Sequence, residues 1–213
     1  MSSYLGAAGD YREEVTIKRS RFITRIVAVE DADDAAAKIA AIKKEHSDAT
    51  HNCYAYIADE YGLVQRFSDD GEPSGTAGMP MLEVLRKRGA GKTLAVVTRY
   101  FGGVKLGASG LVGAYSGCVA DALSNAGLKR FVSSDTGEID VDYPRAAQAR
   151  KAIENAGGQV TRCDYSDSVK IGFAVPQDRR GKLDEALSAD PKNMRLTYTG
   201  TCFFGYDTEK TLP

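Results

Sequence analysis

Residues 94–125 read LAVVTRYFGGVKLGASGLVGAYSGCVADALSN. Leu94 to Thr98 is a short apolar run with β-branched residues and predicts a strand. From Leu111 the pattern changes: Leu111, Val112, Tyr115, Val119, Ala122 and Leu123 recur at helical spacing. The segment RYFGGVKLGASG (99–110) between them is a glycine-rich turn that opens a helix over Gly110 to Asn125, with Ser109 where an N-cap belongs. Gly113 and Gly117 would each cost that helix about 1 kcal/mol relative to alanine, which predicts close packing of the helix on a sheet.

Upstream, Glu14 to Arg21 and Phe22 to Val29 are rich in β-branched residues and predict a hairpin. Asp31 then caps a helix whose Ala35, Ile39, Ile42 and His46 share one face, leaving Lys38, Lys43, Lys44 and Glu45 mostly outside. Cys53 to Ile57 and Leu63 to Phe67 predict a second hairpin, turned at Asp59, Glu60 and Gly62. DDGEPSGTAGMP (69–80) has almost no large apolar side chain and predicts a loop. A helix from Met81 to Arg88 follows.

Downstream, the elements restart as strand Thr136 to Val141, helix Arg145 to Asn155, strands Gln159 to Cys163 and Val169 to Val175, helix Arg179 to Leu187 and strand Met194 to Phe203. This βαββαβ order predicts a ferredoxin-like domain. The chain is thus read as α+β in two domains, 1–132 and 133–213, with the polar Ser133, Ser134 and Asp135 serving as the linker.

Composition narrows the function classes. The 28 Lys+Arg and 29 Asp+Glu leave a formal net charge of -1, so bulk electrostatics favours no polyanion. Cys53, Cys118, Cys163 and Cys202 are widely separated, without zinc or disulfide-scaffold spacing. No cofactor and no metal site is expected. Neither a secretory start nor a membrane-length apolar run is present, so a cytoplasmic protein with no membrane partner is expected.

The charge is nonetheless polarised. Residues 84–120 hold six bases, Arg86, Lys87, Arg88, Lys92, Arg99 and Lys105, and no acid, whereas residues 30–72 hold eleven acids against four bases. Half of the 22 glycines also fall between Gly71 and Gly117, a density that marks turns or close approach to a ligand. Two phosphate motifs fail here: Arg86 occupies the first glycine position of a Walker motif ending at Gly91, Lys92 and Thr93, and no GxGxxG occurs. What survives is an anion site in which Lys105 stands beside the free N–H groups of a helix start at Gly107, Ser109 and Gly110. Arg99 adds charge, and Tyr100 and Phe101 suit stacked bases. His51 with Asp69, Asp70 and Glu72 forms a second constellation, of acid–base or metal-ligand type. Its blander reading is a loop in which Asp69 and Asp70 bind backbone N–H groups.

KRSRF (18–22), HNCYAY (51–56), FSDDGEPSGTAGMPMLEVL (67–85) and VVTRYFGGVKLGASGLVGAYS (96–116) together closely resemble the IMPACT/YigZ family, and the βαββαβ tail resembles that of its bacterial two-domain members. The resemblance implies a ribosomal-protein-like βαβ fold for the N-terminal domain, as in elongation factor G domain IV. It implies a ferredoxin-like second domain similar to domain V of that factor. Both relatives contact RNA on the ribosome, and the eukaryotic family members regulate translation. The family's turn usually runs GxGGLVRAY; here Ser109 replaces a glycine and Gly113 the arginine, so one positive charge is lost.

Two functions are therefore weighed. The first is a non-catalytic protein binding RNA, the ribosome or a translation-related protein, without DNA sequence specificity. It would use Arg99, Tyr100, Lys105, Gly107, Ser109 and Gly110, with His51, Asp69, Asp70, Glu72, Ser74 and Thr76 as the wall. The alternative is a hydrolase using His51 with the Asp69, Asp70 or Glu72 carboxylates. Hydrogen-bond reach between His51 and a carboxylate around a pocket would favour the enzyme, and a continuous basic strip the binder.

Overall fold

The computed structural model describes residues 2–188 and 193–206. The chain forms two compact units, Tyr4–Lys129 and Met1–Ser3 with Arg130–Pro213. Of the expected second domain, residues 189–192 and 207–213 lie outside the described residues.

In chain order the elements are β1 (Ser3–Ala7), β2 (Tyr11–Ile17), β3 (Ser20–Ala28), α1 (Ala32–Glu45), β4 (His51–Ile57), β5 (Gln65–Ser68), α2 (Gly78–Arg88), β6 (Thr93–Tyr100) and α3 (Ala108–Ala126). They continue with β7 (Leu128–Val141), α4 (Ala146–Asn155), β8 (Gln159–Tyr165), β9 (Val169–Pro176), α5 (Arg180–Ser188) and β10 (Met194–Tyr206). Among the described residues these form an α+β architecture with two five-stranded sheets, whose registered strand pairs are antiparallel.

In the first unit the strand order is β2-β3-β6-β4-β5. Alternation along β6 explains how both of its faces are covered. Leu94 and Val96 pack with Ala35, Ile39 and Ile42 of α1, while Ala95 and Val97 pack with Met81 and Leu85 of α2 and Tyr115 and Val119 of α3. Asp31 caps α1, its carboxylate accepting from the N–H groups of Asp33 and Asp34 at 2.9 Å each.

Three local expectations are corrected. First, α2 begins at Gly78 instead of Met81, because the Asp69 carboxylate accepts from Ala77 N at 3.0 Å and Gly78 N at 2.8 Å, supplying a remote cap. Second, the cap of α3 is Gly107, at φ 78, and Ser109 lies inside the helix. Third, Gly113 and Gly117 do not serve close packing: a Cβ on either would meet nothing within 4 Å.

Other glycines of the region do answer a close approach, and it is of the chain to itself. The two-residue turn between β2 and β3 has positive φ at both Lys18 (45°) and Arg19 (66°), the geometry that suits the twist of a hairpin. A Cβ on Gly102 would lie 1.9 Å from the carbonyl oxygen of Arg19, so only glycine lets the chain leaving β6 pass that turn.

In the second unit β7, α4, β8, β9, α5 and β10 follow in βαββαβ order, and the sheet runs β10-β7-β9-β8 with β1 also on β7. Ile139, Ile153, Ile171, Phe173 and Leu183 centre its core. Ser133, Ser134 and Asp135 form no linker; they belong to β7. Ser134 is fully buried and donates to the Val132 carbonyl, and Asp135 accepts from Gln177 and Arg180, so their polarity is satisfied by the fold and not by solvent. Among the described residues no helix is long and apolar enough to cross a membrane.

Candidate functional site

Arg99, on the α2/α3 side of β6, is only 5% exposed. An isolated guanidinium there would be severely desolvated, and it is held by a carboxylate. Arg99 Nη1 donates to Glu72 Oε1 at 2.6 Å, Tyr115 Oη donates to the same oxygen at 2.7 Å, and Arg99 Nη2 donates to Ser20 Oγ at 3.2 Å. Burial, with Glu72 nearby, pushes the Tyr115 phenol far above its ordinary range, so this hydroxyl stays a donor. Four segments distant in sequence thus meet at one ion pair.

The DDG turn sets His51 over this pair. Gly71 has φ 88, and a Cβ there would press to 3.3 Å from His51 Nδ1. His51 Nδ1 donates to the Asp70 carbonyl at 2.9 Å, and Nε2 lies 3.9 Å from Glu72 Oε2. The aspartates themselves are occupied. Asp69 Oδ2 accepts from Gly75 N at 2.9 Å in addition to its contacts with α2. Asp70 accepts from Asn52 N at 2.7 Å and Lys43 Nζ at 2.5 Å; burial would raise its carboxyl, but these donors win and hold it below the usual carboxylate range.

Above the pair opens a cleft of about 410 Å³. Its floor holds His51, Glu72 and Arg99, and apolar walls come from Pro73, Phe101, Leu106 and Leu111. Lys105, Gly107 and Ala108 line it as well, and all three are exposed, so the ammonium and the start of α3 sit at its mouth. The first intrahelical bond runs from Leu111 N to the Gly107 carbonyl, so the N–H groups before it have no partner within the helix. Gly110 keeps that turn tight, since a Cβ there would stand 3.1 Å from Leu106 Cβ.

Of the residues singled out by sequence, the structure brings Arg99, Lys105, Gly107, His51 and Glu72 to one cleft. Tyr100 lies on the α1 side of the sheet, donating to Asp48 and bonded to His46 Nδ1. Ser109 and Gly110 do not line the cleft; nor do Asp69, Asp70, Ser74 and Thr76, the last donating to the Pro73 carbonyl. The bases of 84–120 do not merge into one strip. Arg86 bonds Glu83 and Gln65, Arg88 bonds Ser124, Lys92 pairs with Glu60 at 3.9 Å, and Arg99 is neutralised by Glu72. Sequence reasoning missed Leu106 and Leu111 as walls and Tyr115 as the second donor to Glu72. The only signal for Tyr115 was a tyrosine on the apolar face of a helix, where a buried hydroxyl must find an acceptor. Among the described residues no group of three or more His, Cys, Asp or Glu side chains could hold a metal ion.

The Impact N-terminal domain model matches residues 18–123, which contain the whole cleft. YvyE of Bacillus subtilis, an IMPACT family member, is 37% identical over 204 residues, covering 93% of this chain and 94% of its own length. YigZ of Escherichia coli is 36% identical over 190 residues, covering 88% of this chain and 93% of its own. A crystal structure of a hypothetical protein superposes with a TM-score of 0.61 at 32% identity, over 92% of this chain and 97% of that one. With full-length likeness to these bacterial relatives and the Impact motifs built into its cleft, the chain belongs to the IMPACT family, as a member of the bacterial YvyE/YigZ type.

Proposed function

We propose that this protein is a non-catalytic, translation-associated binder of RNA or the ribosome that engages a phosphate at the mouth of the cleft. The observation that carries the reading is the convergence of Lys105 with the exposed start of α3 on one side of a concave site. The helix end supplies partial positive charge and unpaired N–H donors, and the ammonium supplies a full charge. Arg99 does not add to it, because Glu72 cancels its charge below the floor. The site therefore suits one phosphate, not a long stretch of backbone.

Resemblance to a family whose eukaryotic members regulate translation supports the RNA side of the proposal. So does reading the first unit as the ribosomal-protein-like fold of elongation factor G domain IV and the second as ferredoxin-like. The strand order β10-β7-β9-β8 is the order that a βαββαβ chain of the latter type requires. Co-sedimentation with ribosomes over a salt series tests the function. Pelleting at low salt that declines steadily as salt rises is expected. No pelleting at low salt, with the protein folded, overturns it.

A second reading, hydrolysis through His51 and Glu72, rests on their 3.9 Å approach across the cleft floor. It is the weaker of the two. Glu72 Oε1 is already committed to Arg99 and Tyr115, and Asp69 and Asp70 are consumed by backbone and lysine contacts.

A further inference from the structure

Resting on the RNA-binding reading above, we infer that the cleft holds a single unstacked nucleotide, its base inside against Phe101 and its phosphate outside at Lys105. The argument is one of polarity and shape. A site for phosphate alone needs donors and no apolar walls, yet this one has about 410 Å³ of space between Pro73, Phe101, Leu106 and Leu111. Phe101, just past the end of β6, is 47% exposed, and the Arg99 guanidinium stands 5.5 Å from its ring centre. A large exposed aromatic beside a phosphate-binding turn offers a stacking surface that any base can use.

The two ends of the cleft also differ in hydrogen-bonding sense. At the mouth Lys105 and the α3 N–H groups donate. On the floor Glu72 Oε2 accepts, because Oε1 takes both Arg99 and Tyr115, and His51 Nε2 accepts as well when the ring's one proton is on Nδ1, where the Asp70 carbonyl takes it. A ligand that fits has an anionic group at one end and N–H donors at the other. A nucleotide whose base edge carries adjacent N–H donors meets both demands, and guanine, with N1–H beside its amino group, meets them better than uracil, with a single N–H.

The test is fluorescence anisotropy with a labelled single-stranded oligouridine, and with the same RNA carrying one central guanosine. Wild-type protein is expected to bind both, the guanosine-containing RNA more tightly. Guanosine monophosphate should displace the RNA where inorganic phosphate at equal concentration does not. Phe101→Ala should weaken binding about 5- to 150-fold, the span that removal of one base stack implies, without changing the salt slope, and Phe101→Tyr should retain it. Because Phe101 is half exposed, the alanine variant is expected to fold. Wild-type binding that Phe101→Ala leaves intact, or equal displacement by phosphate and the nucleotide, overturns the nucleotide pocket while the RNA-binding reading stands. Equal affinity for the two RNAs overturns the role of the floor acceptors. Absence of binding to any RNA or to ribosomes overturns both readings.

Discussion

Arg99 and Glu72 meet at 2.6 Å beneath the cleft, with side chains 5% and 3% exposed. Breaking such a pair by removing one partner strands a charge in a medium that cannot solvate it. Glu72→Gln is expected to destabilise the protein by about 3–5 kcal/mol, and Glu72→Gln with Arg99→Met to recover much of that loss. Urea unfolding of the single and double variants measures it. Equal losses in both would show that the pair has no special weight.

Lys105 is expected to contribute one phosphate contact. Lys105→Gln should reduce the magnitude of the log affinity against log salt slope for RNA or ribosomes by about one counterion. Lys44, exposed on α1, is the control; Lys38 on the same helix would not serve, because its ammonium bonds Asp34 and the Ala28 carbonyl. A slope that Lys105→Gln and Lys44→Gln leave equally unchanged would mean that the turn before α3 is structural only.

The glycines divide into two kinds with opposite expectations. Gly113→Ala and Gly117→Ala place a methyl group in open space within a helix, and each should stabilise by about 1 kcal/mol. Gly113 is exposed at the position where the family pattern carries arginine, which is consistent with a side chain being free to extend there. Gly102→Ala drives a methyl group into the Arg19 carbonyl and should destabilise by about 1–3 kcal/mol. Thermal melts of the three variants decide the matter. A neutral Gly102→Ala would mean that the hairpin turn yields.

The cysteines should react in an order set by burial. Burial pushes the Cys53 thiol up to about 12 and that of Cys118 up to about 11, so near neutral pH neither supplies appreciable thiolate. Burial raises Cys202 as well, but its side chain is exposed. Alkylation of the folded protein followed by peptide mass mapping should find Cys202 modified first and Cys53 and Cys118 modified only after unfolding. Labelling of Cys53 as fast as Cys202 would contradict its burial.

What the sequence determined by itself is whatever depends on neighbours along the chain. The short apolar run Leu94 to Thr98, helical spacing from Leu111 to Leu123 and the Asp31 cap each act over a few residues, and so they announced the strands, the helices and the α+β class. The Impact motifs likewise run through the residues that line the cleft. Only the tertiary structure decided what the marked residues do there, because their partners come from far along the chain. Asp69 caps α2 from nine residues before Gly78, Gly102 is a glycine because Arg19 crosses it, and the charge of Arg99 is offset by that of Glu72. Charge counted along the sequence therefore promised a basic strip. In three dimensions Arg99 is buried and paired with Glu72, and of these bases the cleft has Lys105 at its mouth beside the start of α3.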